Sequence, residues 1–86
     1  MFEYNQEQAE VLRVLGHPAR LAIVKGLLKR ACNVSKIVSS LGVPQPTVSQ
    51  HLKALKAAGI VRGERKGVEI CYRVVNDFVR KMFAKM

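Results

Sequence analysis

The stretch from Val34 to Val74 constrains this chain most, because its apolar residues change period there after two very short helical runs. Val34, Ile37, Val38 and Leu41 recur at helical spacing. So do Val48, Leu52 and Leu55, with Ala58 extending the stripe. Gly42 is the expected stop of the first run, while Pro44 and Pro46 bracket a turn and open the second. Gly59 ends the second run. Beyond it, Ile60 to Arg65 alternates weakly. Val68 to Val75 alternates better, with Ile70, Tyr72 and Val74 on one face and Glu69, Cys71 and Arg73 on the other. Lys66-Gly67 between them is a hairpin signal. Two short helices about Gly42-Val43-Pro44, followed at once by a hairpin, form the pattern of a winged helix-turn-helix.

The flanks add helices. Asn5 to Leu15 carries Ala9, Val11, Leu12 and Leu15 at amphipathic spacing and stops at Gly16. Pro18 suits the first turn of a second helix through Leu21, Ile23, Val24, Leu27 and Leu28, ending near Arg30. Asn33 or Ser35 is placed to cap the third helix. A last helix spans Asn76 to Met86, with Asn76 or Asp77 as its cap. The expected fold is mainly α with a small β-hairpin wing, in the order α-α-α-α-β-β-α, as one domain over residues 1–86. A chain of this length has no room for a second core.

Charge narrows the function. There are 15 Lys and Arg against 6 Asp and Glu, a net charge of +9. Three of the acids (Glu3, Glu7 and Glu10) fall in the first ten residues, which hold no base. The rest of the chain attracts a polyanion. No apolar run approaches the ~20 residues that span a bilayer, and no signal peptide is evident. The expected location is the cytoplasm, without membrane association, where free thiols are favoured. No nucleophile–base pair, phosphate loop or carboxylate cluster suggests an enzyme.

The second helix of the pair must pack one face and offer the other to base edges. Gln45, Thr47, Ser49, Gln50 and Lys53 lie opposite Val48, Leu52 and Leu55. Gln pairs bidentately with adenine, and the Thr methyl touches that of thymine. Free N–H groups at the helix start hold phosphate. Arg62, Arg65 and Lys66 crowd the hairpin turn, and Arg73 sits on the returning strand. Gln45, Thr47, Ser49 and Gln50 are therefore expected at base edges of double-stranded DNA. Lys53, Arg62, Arg65 and Lys66 are expected at phosphates and the minor groove.

Three runs carry a family resemblance: Leu15-Gly16-His17-Pro18-Ala19-Arg20-Leu21 with Ile23, Leu41-Gly42-Val43-Pro44-Gln45-Pro46-Thr47-Val48-Ser49-Gln50-His51-Leu52, and Gly59-Ile60-Val61-Arg62 with Tyr72-Arg73-Val74. Together they resemble the ArsR/SmtB family of dimeric repressors over almost the whole chain. The segment Gln45 to Leu52 looks most like the thiol-based, sulfur-sensing branch. The resemblance implies a homodimer built on the first and last helices and a pseudo-palindromic operator. Pro44 departs from it, since the family often has a capping Ser there. Family members that sense soft metals carry Cys-Val-Cys where this chain reads Asn33-Val34-Ser35, and Cys32 is one residue out of step. The other family metal site uses Asp and His on the last helix, which here has Asp77 but no His. No metal or other cofactor is expected at these sites. The small-molecule effector, if any, is not named by the residues.

His17 is expected to be structural in its interhelix turn, and His51 to face DNA or solvent. The bridge before the third helix is expected to pair with the second wing strand, bringing Cys32 near Cys71. Parity argues against a bond, because Cys71 shares a face with Glu69 and Arg73 while Cys32 shares parity with core-facing Val34. A disulfide needs Cβ atoms ~3.8 Å apart. The expectation is a buried Cys32 and a half-exposed Cys71. The competing reading is a redox pair, with Arg73 raising the reactivity of Cys71. Two apolar stripes remain for a dimer: Val11, Leu12 and Leu15 with Phe2 and Tyr4, and Phe78, Val79, Met82, Phe83 and Met86. A protein-interaction module on the same fold would have a neutral wing, and an RNA-binding one would show exposed aromatics.

Overall fold

Helix starts in this chain are set by short polar side chains and proline. Asn5 accepts a bond from the Gln8 N–H at 2.8 Å, and the Gln8 side chain accepts one from the Asn5 N–H at 3.1 Å. This reciprocal box opens α1, Gln6–Leu15. Pro18 stands in the first turn of α2, Pro18–Lys29, and His17 Nδ1 accepts from the Ala19 N–H at 3.1 Å. The computed structural model describes residues 5–86, so Phe2 and Tyr4 lie outside the described residues.

α3 spans Val34–Leu41 and α4 spans Gln45–Ala57, with Gly42 at φ +66° in the turn between them. Neither helix has a side-chain cap. Asn33 sits at the cap position of α3 without bonding, Ser35 lies inside that helix, and Pro44 begins α4. β1, Val61–Lys66, pairs antiparallel with β2, Glu69–Val74. α5 follows at Asp77–Ala84, its first turn held by Asn76 Oδ1 accepting from Val79 N–H at 3.0 Å. The element order is the expected one.

The hairpin turn is displaced by one residue from expectation. Lys66 pairs with Glu69 and the two-residue loop is Gly67-Val68. Gly67 takes φ +67°, a positive value that two-residue hairpin loops demand of a central residue and that either placement of the turn supplies. The observed register sets Lys66 against Glu69 as opposite charges across the ladder.

The core joins α2, α4, the base of the wing and α5. Ile23, Val24, Val48, Leu55, Ile60 and Val79 are fully buried. Val11 and Leu15 of α1 are buried with them. Val11, Leu15 and Val79, expected to serve a dimer face, therefore complete the protomer's own core. What stays outside is narrower: Leu12 and Met86 are exposed, while Phe78, Met82 and Phe83 are half-buried. No described helix is long and apolar enough to cross a membrane.

Candidate nucleic-acid interface

α4 has a packed side and a polar side. Val48, His51, Leu52 and Leu55 are buried. At about 100° per residue, Gln50 and Lys53 project almost opposite that stripe, with Ser49 beside them, and all three are exposed. Gln45 and Thr47 lie at the flanks, Gln45 exposed and Thr47 half-buried. The helix start offers an anion less than expected. Pro46 has no N–H, and those of Thr47 and Val48 both donate to the Pro44 carbonyl, at 3.0 and 3.2 Å. Both of these N–H groups are therefore already engaged within the helix start.

The wing lies next in the chain, joined to α4 through Ile60. Arg62, Arg65 and Lys66 are exposed. The register separates their faces. Arg65 shares one face with Ile70, while Arg62 lies directly opposite Arg73 on the other. Like charges placed opposite each other disfavour the ladder, and an anion between them removes the penalty. Arg73 thus joins the cationic set. Sequence reasoning placed it on the strand without assigning it a phosphate role, because the pairing with Arg62 is set by register. Val68 at the tip is 97% exposed beside Lys66.

His51 corrects an expectation. It does not face DNA or solvent: it is 7% exposed on the packed side of α4. Its Nδ1 accepts from Arg20 Nε at 3.1 Å, and the His17 ring lies 4.4 Å away, centroid to centroid. Burial, then His17 and Arg20, holds the His51 pKa below its ordinary value. Arg20 is a residue that sequence reasoning did not single out beyond its place in the family motif.

The cysteines correct a second one. Cys32 and Cys71 form a disulfide with Cα atoms 4.3 Å apart. Their environments are the reverse of those expected, with Cys71 buried and Cys32 exposed. Alternation along β2 does put Cys71 on the side of Glu69 and Arg73, but the bridge from α2 covers it. Cys32 N–H donates to the Tyr72 carbonyl at 3.0 Å. Cys32 also adopts φ +64°, so the parity count from Val34 does not carry through the bridge.

Residues 17–62 match the profile of the bacterial regulatory protein arsR family. The chain is 54% identical over 67 residues to the HTH-type transcriptional repressor SmtB of Mycobacterium tuberculosis, covering 78% of this chain and 50% of that one. It thus spans about half the length of that relative. Among solved structures it resembles the transcriptional repressor PagR of Bacillus anthracis. There the TM-score is 0.81 and the identity 38%, over 93% of this chain and 92% of that one. It also resembles a homodimeric winged helix-turn-helix DNA-binding domain from Mycobacterium bovis. That match has a TM-score of 0.80 at 28% identity, over 99% of this chain and 85% of that one.

Proposed function

This chain belongs to the ArsR family of bacterial regulatory proteins, and from that premise we propose that it is a cytoplasmic transcriptional repressor that binds double-stranded DNA as a homodimer. One observation carries the reading: α4 sets Ser49, Gln50 and Lys53 opposite a fully packed stripe, beside a wing whose cations are exposed. Ser49 and Gln50, flanked by Gln45 and Thr47, approach base edges in the major groove. Lys53, Arg62, Arg65 and Lys66 meet phosphates and the minor groove. No catalytic step is part of this role. Selection of bound duplexes from a randomised pool tests it. Enrichment of a pseudo-palindrome with half-sites ~34 Å apart supports it, and a pool that stays random overturns it. Support for the dimer comes from the exposed Leu12 on α1 and from Phe83 and Met86, which line a groove with Leu28 beside Lys25 and Lys29. A monomer in sedimentation at micromolar concentration overturns that part.

The disulfide favours a second reading, in which the repressor responds to oxidants. Cytoplasmic thiols are ordinarily kept reduced, so a Cys32–Cys71 bond marks an oxidised state. Two thiols give two electrons and two protons to an organic disulfide, which becomes two thiols as the Sγ–Sγ bond forms. The bond ties the bridge before α3 to the second strand of the wing, so it bears on how the wing is held. Titrating a selected duplex with oxidised and reduced protein tests this. Equal affinities overturn it, and a difference abolished by Cys32→Ser supports it.

A further inference from the structure

Three helices meet at one side chain. Arg20 of α2 donates through Nη1 to the Val14 carbonyl in the last turn of α1, at 3.1 Å. A carbonyl in that position has no donor within its own helix. Through Nε, Arg20 donates to His51 Nδ1 on α4, also at 3.1 Å. The second bond dictates a protonation state. Arginine Nε–H is only ever a donor, so His51 Nδ1 must hold a lone pair and the ring proton must sit on Nε2. A doubly protonated ring offers two donors and no acceptor, and it repels the guanidinium. His17 uses its own Nδ1 in the same sense, on the Ala19 N–H.

We propose that Arg20 is a positioning residue for the DNA-reading helix, tying α4 to α1 through a His51 that must be neutral, so that acid releases α4 from its binding orientation. The proposal rests on the DNA-binding reading above. The groups facing His51 act in one direction. From α2 and its cap come the Arg20 guanidinium and the His17 ring, the two groups that oppose a charge on His51. From α1 comes the Val14 carbonyl, by way of Arg20, while Glu10 and Arg13 pair with each other on that helix's exposed side. β1 also packs against α4, and its charged residues are exposed. Burial, His17 and Arg20 all hold the His51 pKa below the ordinary 6.5. The unfolded chain takes up this proton near that ordinary value and the folded chain only at lower pH. Between the two, the unfolded state binds more protons, so the arrangement weakens as pH falls through the window below 6.5.

The test uses the intact protein, a duplex enriched from a random pool at about pH 8, and a random-sequence duplex as control. The wild type is expected to lose roughly tenfold of its preference for the enriched duplex between about pH 7.5 and 5.5. His51→Asn keeps an acceptor near the place of Nδ1 without a ring to protonate, and its preference should hold at both pH values. His17→Asn keeps the cap of α2 but removes one of the groups that hold the His51 pKa down, so its loss of preference should begin at a higher pH than in the wild type. The proposal is overturned if His51→Asn loses preference in acid as the wild type does, or if the wild-type preference is flat. Ring ¹⁵N shifts of the wild type provide an arm that needs no DNA. Neutral His51 protonated on Nε2 supports the tie, and a proton on Nδ1 overturns it. A pool that yields no enriched duplex counts against the DNA-binding reading, and the ring shifts then decide the tie by themselves.

Discussion

Gln50 stands nearly opposite the buried stripe of α4, where a side chain reaches furthest from the core. Replacing it with Ala should cost ~1–3 kcal/mol on the preferred duplex and leave a random duplex unaffected. Parallel titrations check this, and equal losses on both duplexes count against a base contact. One position along the helix, His51 shows where residue-level reading fell short. Val48, His51, Leu52 and Leu55 occupy i, i+3, i+4 and i+7, the spacing of one packed face. Periodicity therefore already assigned the slot to the interior. The expectation of an exposed histidine followed residue polarity instead, and the partner that makes burial affordable, Arg20, lies 31 positions away. Cys71 failed for a related reason. Strand alternation tells which side a residue faces, and it says nothing of a bridge that crosses that side.

At the scale of elements, the helices and the hairpin were legible because each carries its own stop and start signals: Gly16, Pro18, Gly42, Gly59 and Asn76. The hairpin's register was less so, since Lys66-Gly67 and Gly67-Val68 both satisfy the turn's need for glycine. Register decides what the wing presents. Arg65→Ala should lower the slope of log affinity against log salt by about 1, on any sequence. An unchanged slope means that Arg65 meets no phosphate. The α2–α3 contact yields a separate prediction. A Cβ added at Gly26 would lie 2.6 Å from Ile37 Cδ1 and 2.7 Å from Cγ1. Alanine gains ~1 kcal/mol in helix propensity over glycine, but overpacking a core costs ~1–3 kcal/mol. Gly26→Ala should therefore destabilise the fold. Ile37→Val, which removes Cδ1, should lessen that cost in a double-mutant cycle by urea unfolding. Strict additivity would show that the two residues do not press on each other.

At the scale of the whole molecule, one covalent bond spans much of the fold. Cys32 and Cys71 are separated by 39 positions. In the chain-entropy account, closing a loop of that size stabilises the folded state by about 4 kcal/mol. Reduction should then lower Tm by roughly 15–30 °C, at ~4–8 °C per kcal/mol for a chain of this size. Thermal unfolding with and without reductant measures this, and Cys32→Ser should be indifferent to the reductant. The same bond makes a macrocycle of α3, α4 and β1, hung from the end of α2. A protease that cuts once inside the macrocycle, for instance after an exposed wing arginine, opens it without shedding a fragment. The halves stay leashed, migrate as one species on a gel without reductant and separate with it. A nick at the wing therefore disarms the wing and leaves α4 attached.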